Sequence, residues 1–453
     1  MSTLQPRVSD RERYLNALRQ LWDRSAYDRG FISNPFAGDD FAALGLRRTR
    51  EVLSRLGNPQ NSLRILHVAG SKGKGSTTAF AASILTEAGF RTGRYTSPHL
   101  HTFRERFAID DRLISESGFA DIWDRAVFEA RMVERAHPDL GPATAFELTT
   151  AMAFDYLCAM RCQTAVIEVG LGGTLDSTNV VSPESTIITA LDYEHTSVLG
   201  STLGEIASNK AGIIKPGVPV ATAVLDQEAL GVIAAKAEEQ KAPWLLAGRD
   251  WRWERNGERF DLHGPWGTFR ELKSGLIGDH QIDNASLAVA GLWAMLGENL
   301  AEEAVRDGLT KTRWPGRFEV VTRNTQTIVV DGAHTPAAAA ALARAFKSNY
   351  GEDRAVVILG MLNDKDANAF VNALREIASR FIAITPQTPR ALAAGDLAAT
   401  IAAEGIPIEV AGSMNEALLM TENALSVITG SLTTVAWARE ALGIATADPR
   451  FKS

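Results

Sequence analysis

Residues 67–77 read His67-Val68-Ala69-Gly70-Ser71-Lys72-Gly73-Lys74-Gly75-Ser76-Thr77. The apolar run at 64–69 predicts a strand, and the pattern at 77–88 predicts a helix. Strand, glycine-rich loop, helix is the opening of an α/β unit. Glycines let backbone N–H groups approach phosphate oxygens, and the helix N-terminus favours an anion. Lys74 would then reach the β- and γ-phosphates, and a Ser or Thr hydroxyl a magnesium ion. Gly73, Lys74, Gly75 and Ser76 are the candidate nucleotide contacts. The strict Walker A spacing wants glycine at position 68, where Val68 stands, so the loop is a shorter variant.

Working outward, residues 11–22 and 41–56 carry helical periodicity, with a Gly/Pro-containing loop at 29–40. Continuous apolar runs at 164–169, 186–191 and 218–224 predict buried parallel strands. Residues 251–276 alternate and contain Asn256-Gly257, a two-residue hairpin signal, which predicts a small antiparallel insertion. From about residue 310 the α/β rhythm restarts, with strands expected at 327–331, 355–359, 381–385, 406–410 and 433–437, and a helix in the Ala-rich stretch after Pro336. The fold class is therefore α/β. A large N-terminal domain (1–309) has a mainly parallel sheet and the antiparallel insertion, and a smaller Rossmann-like domain (310–453) follows, the boundary lying near 307–313. Ligands are expected at strand C-terminal ends and between the domains.

The chain of 453 residues is 45% hydrophobic and 22% charged, which fits large packed cores. Its formal charge of -7 argues against a general nucleic-acid binder. Two cysteines, Cys158 and Cys162, are too few for a disulfide framework and predict buried thiols in a reducing compartment. The polar first 13 residues and the lack of a 20-residue apolar run predict a cytoplasmic protein with no membrane partner.

The loop at 67–77 resembles that of the Mur ligase superfamily, and specifically of folylpolyglutamate and dihydrofolate synthases. Further segments agree in order: Leu56-Gly57-Asn58-Pro59-Gln60, Tyr95-Thr96-Ser97-Pro98-His99-Leu100, Phe146-Glu147, Glu168-Val169-Gly170-Leu171-Gly172-Gly173, Leu175-Asp176-Ser177-Thr178-Asn179, Lys210-Ala211-Gly212-Ile213, His280-Gln281 with Asn284, Pro315-Gly316-Arg317, Asp331-Gly332-Ala333-His334 and Asp364-Lys365-Asp366. The resemblance covers about residues 14–440. It implies an ATP-dependent ligase that adds L-glutamate to a folate or to dihydropteroate through an acyl phosphate; the protein is expected to be a monomer.

The resemblance also implies roles. Glu168 and Ser97 would hold one magnesium, and His195 a second. Lys210 would carry a CO2-derived carbamate that completes the metal set. Lys74, Glu168, His195 and Lys210 are the catalytic candidates. Asn284, Arg317, Asp331 and His334 would bind nucleotide. Thr144, Phe146, Glu147, Leu175, Asp176 and Ser177 would form the pterin side, and Lys365 and Ser431 would face the incoming glutamate. Departures from the family pattern are Asn209 before Lys210, Thr335 after His334, Thr174 after Gly172-Gly173, and Phe41-Ala42-Ala43 where some bifunctional members have an acidic residue. Two other readings stand beside this one: a ligase of the same superfamily acting on a non-folate carboxylate, and a nucleotide-binding regulatory protein without ligation.

Overall fold

The computed structural model describes residues 9–24, 39–403 and 405–449. Most of the loop expected at 29–40 lies outside the described residues. The flanking helices are Asp10–Arg24 and Asp39–Arg55, the second containing residues 41–43.

Eight strands form the first sheet: β1 (Arg64–Ala69), β2 (Thr92–Tyr95), β3 (Phe107–Ile109), β4 (Arg112–Leu113), β5 (Thr164–Glu168), β6 (Ser185–Ile188), β7 (Val220–Thr222) and β8 (Trp244–Leu246). Their order is β4-β3-β2-β5-β1-β6-β7-β8. The six strands from β2 to β8 pair in parallel, and the β2-β3-β4 edge is antiparallel. β1 is central, so both its faces are buried. Ile65 joins a core beneath helices Glu116–Ala136 and Ala145–Ala159, while Leu66 and Val68 join a second core with Phe80, Ile84 and Leu287. That second face carries helix Lys74–Glu87, which is buried over most of its surface between helices Asp279–Leu296 and Glu302–Lys311.

The antiparallel insertion is a three-stranded sheet of β9 (Arg252–Asn256), β10 (Arg259–Gly264) and β11 (Gly267–Leu272). Asn256 pairs with Arg259, so the two-residue loop is Gly257-Glu258, one position later than the sequence signal. Gly257, at φ +62°, fills the first loop position, where a two-residue hairpin loop accepts glycine.

Six strands form the last sheet: β12 (Glu319–Arg323), β13 (Gln326–Val330), β14 (Ala355–Leu359), β15 (Ala378–Ala383), β16 (Ile408–Val410) and β17 (Ser426–Thr429), in the order β12-β13-β17-β14-β15-β16. All pairs are parallel except β12–β13. The Ala-rich stretch is helix Pro336–Tyr350.

One expected strand is wrong. Residues 433–437 lie inside helix Leu432–Ala441. Thr433, Thr434 and Val435 favour a strand locally, but Ser431 caps the helix by accepting from the Thr434 N–H at 3.1 Å. The strand is the preceding β17, which runs between β13 and β14.

Both cysteines are free thiols. Cys162 is buried, whereas Cys158 is partly exposed and accepts from the Ser62 hydroxyl at 3.2 Å. No helix among the described residues is long and apolar enough to cross a membrane.

Candidate functional site

β1 delivers the chain to Gly70, and Gly73 serves as the N-cap of helix Lys74–Glu87 with φ +86°. The Lys74 ammonium folds back to donate to the Gly70 carbonyl at 2.9 Å. A cavity of about 1200 Å³ opens over this loop. Of the residues expected at the site, Gly73, Lys74, Gly75, Ser76, Ser97, Glu168, His195, Asn284, Arg317, Asp331 and His334 all line it.

Glu168 ends β5, directly beside β1. It is buried, and its Oε2 accepts the Ser97 N–H at 3.2 Å. Burial pushes its carboxyl up to about 7, against the pull of Lys74, the Ser97 N–H, Arg317 and Arg94. Such a carboxylate gains from a bound cation. An oxygen donor with the Ser97 hydroxyl on the next loop suits magnesium, which takes oxygen ligands and keeps substrate phosphates. His195 stands at the rim in a left-handed conformation, φ +47°, capping helix Thr196–Leu199.

Lys210 is held behind the loop, 1% exposed, and does not line the cavity. Its ammonium donates to the Gly70 carbonyl at 2.8 Å and to Glu194 Oε1 at 3.0 Å. Burial, with the nearby Lys74 charge, brings the Lys210 amine down to about 8. Burial alone would raise Glu194, but Lys74 and Lys210 outweigh it and the carboxyl lies below its ordinary value. A neutral amine is the form that takes up CO2, and the lowered amine eases that uptake, while the two acceptors bound to Lys210 suit its ammonium form. Asn209, in place of the family's acidic residue, donates to the Leu199 carbonyl at 3.0 Å.

From the second sheet, Asp331 follows β13 and accepts the Phe318 and Ala333 N–H groups, each at 2.8 Å. This fixes the turn that carries Arg317. His334 Nδ1 meets the Gly332 carbonyl at 2.9 Å, and burial takes the imidazole down to about 4, so it is neutral. Asn284 lies on helix Asp279–Leu296, its amide nitrogen donating to Gln281 at 3.1 Å. A cation clamp and an acidic group thus face the loop from across the cleft.

The expected pterin residues form their own cluster, outside the cavity lining. Thr144 and Glu147 make a reciprocal capping box on helix Ala145–Ala159. Glu147 also takes a buried two-pronged ion pair from Arg48, at 2.7 and 2.8 Å. Asp176 is buried and accepts the Leu171 and Thr178 N–H groups at 2.8 and 2.9 Å, which orders loop 171–178 containing Leu175 and Ser177. Phe146 lies under Gly170, which lines the cavity, and 6.4 Å from the Tyr95 ring. Ser431 is buried as a helix cap and does not line the cavity. Lys365 pairs with Asp364 at 2.9 Å, and its charge bears on His195 and His334.

Sequence reasoning missed Arg94, Trp314 and the Arg439–His101 contact, all on the cavity wall. Arg94 had a signal in its place directly ahead of the Tyr95-Thr96-Ser97-Pro98 segment. Trp314 had one in its place beside Pro315-Gly316. Arg439 and His101, 338 positions apart, had none.

Residues 68–292 match the Mur ligase middle domain family, and residues 316–432 match the Mur ligase glutamate ligase domain family. The dihydrofolate synthase/folylpolyglutamate synthase of Bacillus subtilis is 37% identical over 362 residues, 78% of this chain and 84% of that protein. The Mycobacterium tuberculosis folylpolyglutamate synthase complexed with ADP superposes with a TM-score of 0.87 at 28% identity, over 98% of this chain and 100% of that one. The E. coli FolC complex with DHPP and ADP gives 0.81 at 28% identity, over 94% and 97%.

Proposed function

We infer the function from membership: the chain belongs to the folylpolyglutamate synthase and dihydrofolate synthase family of Mur ligases, and it is an ATP-dependent ligase that adds L-glutamate to a folate. The observation that carries this reading is one cavity lined by Lys74, Glu168, Arg317 and Asp331 together.

Joining a carboxylate to an amine needs a better leaving group than oxide. ATP supplies it by transferring its γ-phosphoryl group to the acceptor carboxylate. The glutamate amine then attacks the acyl phosphate, giving an amide, ADP and phosphate. We propose that the glycine loop and helix N-terminus bind the phosphates and that Lys74 swings from the Gly70 carbonyl to the β- and γ-oxygens. Arg317 would hold the phosphates bidentately from across the cleft. Asp331 and Asn284 would bind the ribose and base. Glu168 and Ser97 would hold one magnesium; His195 and Lys210 as its carbamate would hold a second, and together these cations offset the charge that builds on the transferring group. Glu194 would hold Lys210 in place before carbamylation.

The acceptor would enter past Gly170, with Phe146 and Leu175 flanking the pterin and Asp176, Ser177, Thr144 and Glu147 fixing the walls. Lys365 would attract the incoming glutamate, and Ser431 would set the helix beside it. Two domains, 1–309 and 310–453, would close on the substrates and keep water from the acyl phosphate. The protein would work as a cytoplasmic monomer, a setting that suits its two free thiols.

The test supplies Mg-ATP, L-glutamate and bicarbonate with tetrahydrofolate or dihydropteroate, and follows ADP release and product mass. Addition of one glutamyl mass to an acceptor is the expected result. ADP release with no new amide on either acceptor would overturn the folate reading.

A further inference from the structure

Arg94 is a buried cation that the roles above do not use. It lies on β2, is 8% exposed, and lines the cavity. Its guanidinium sits 4.8 Å from the Trp314 ring centre. Among the described residues its ion pair is with Asp111, at 3.1 Å, and the Asp111 side chain is 68% exposed. The Arg94 Nε is buried with no hydrogen-bond partner. A guanidinium offers five N–H donors in a planar fork, and one exposed carboxylate engages only part of it. Burial outweighs the attraction of Asp111, Glu168 and Glu105 and pulls the guanidinium below its ordinary value, the mark of a charge short of partners.

Register places this group. Arg94 pairs with Val166 on parallel β5, and Glu168 lies two residues further on. Side chains two apart share a face, so Arg94 and Glu168 project from the same side of the sheet. Across the sheet the order is β1 with its phosphate loop, β5 with Glu168, then β2 with Arg94. The group that receives the phosphoryl must lie near Glu168, and Arg94 lies one strand beyond it in the sheet, stacked on Trp314, whose ring also approaches Gly75 of the phosphate loop.

We propose that Arg94 binds the non-reacting α-carboxylate of the acceptor's terminal glutamate, which makes it a specificity residue for acceptors that already carry glutamate. The proposal rests on the glutamate-ligase reading. A glutamyl end has two carboxylates three carbons apart, about one strand spacing. When the γ-carboxylate is phosphorylated near Glu168, the α-carboxylate falls toward β2. A carboxylate is the planar, bidentate ligand that a guanidinium fork matches, and Asp111 holds the fork until the acceptor displaces it. Dihydropteroate has one carboxylate, the reacting one, and gives Arg94 nothing to bind.

The experiment compares wild type with Arg94→Met, using tetrahydrofolate, its α-carboxamide and dihydropteroate as acceptors. Charge-assisted contacts of this kind are worth about 10- to 100-fold in kcat/KM. Arg94→Met should lose that factor on tetrahydrofolate, keep its ADP affinity and its dihydropteroate rate within about threefold, and no longer distinguish tetrahydrofolate from the α-carboxamide. Equal losses on every acceptor, or none, would overturn the proposal, as would a wild type that ligates dihydropteroate alone. A wild type that ligates neither acceptor defeats the underlying reading instead. If Arg94→Met does not fold, Asp111→Asn on the exposed partner decides: freeing the fork should lower the KM for tetrahydrofolate, and an unchanged or higher KM overturns the proposal.

Discussion

Asn284 stands directly over Gly73: a Cβ added to that glycine would lie 2.2 Å from the Asn284 Oδ1. A residue of helix Asp279–Leu296 thus touches the backbone that would receive the phosphates, and only a residue without a side chain permits the contact at φ +86°. Gly73→Ala should therefore clash with Asn284 and meet a left-handed penalty of about 1–2 kcal/mol. ADP affinity measured by calorimetry should fall at least about tenfold. Unaltered affinity would show that the loop relaxes freely.

Glu168→Gln keeps the shape of a buried group while removing its charge. Steady-state ligation should fall at least about 100-fold in kcat, while ADP binding without magnesium is retained. Fluorescence titration with and without magnesium checks this, since the wild-type enhancement by the metal should vanish in the variant.

Lys210→Ala removes the amine that would take up CO2. Activity should be lost by about 100-fold or more, and wild type in CO2-depleted buffer should lose rate that added bicarbonate restores. Bicarbonate that leaves wild type unaffected argues for a plain ammonium at this position.

His67 supplies a pH dependence away from the catalytic groups. It is fully buried on β1, its Nε2 lies 2.9 Å from the Thr178 hydroxyl, and burial brings the imidazole down to about 3. The unfolded chain, with an ordinary imidazole near 6.5, binds more protons than the folded one between pH 3 and 6.5. This contribution to stability is present above about 6.5 and is lost as pH falls, at up to about 1.4 kcal/mol per pH unit. Urea unfolding of His67→Asn should show a shallower fall between pH 6.5 and 5 than wild type.

The Arg48–Glu147 pair tests whether Glu147 serves the substrate or the scaffold. Either single truncation strands a buried charge and should cost about 3–5 kcal/mol, whereas Arg48→Met with Glu147→Leu should recover most of it. If the double variant also keeps its acceptor KM, Glu147 is a structural residue. A raised KM in a stable double variant makes it a substrate contact.

The loop at 67–77, the central strands and the carboxylate ending β5 were all legible, because a buried parallel strand is a run of apolar residues and a phosphate loop is a run of glycines. The short strands β2, β3, β4 and β8 were not. They have two to four residues each, too few for a period to register, and β2 contains Gly93 and Arg94. Residues 433–437 misled for the opposite reason: local β-branching was overruled by the Ser431 cap. Most of the metal and nucleotide candidates line one cavity because they sit near a strand end or a glycine turn, whereas Asn284 reaches it from helix Asp279–Leu296 and Lys210, inside helix Leu203–Ala211, stays behind the loop. Thr144 and Ser431 cap helices, and Asp176 and Glu147 are tied up in backbone and arginine contacts. A motif marks such residues equally well whether they touch substrate or shape its surroundings.

The Tyr14 hydroxyl donates to Asp448 at 2.6 Å, and Asp448 also accepts the Phe103 N–H at 2.8 Å. These partners are separated by 434 positions. At cellular elongation speeds the second is made roughly 20–90 s after the first. Until then the opening helix, which packs on helix Glu116–Ala136 in the finished fold, lacks its Asp448 anchor, and Ala445 and Thr446, which line the cavity, do not yet exist. A nascent chain therefore carries its phosphate loop in the open long before it can enclose a substrate, and the seam between the two ends is sewn only when ligation becomes possible.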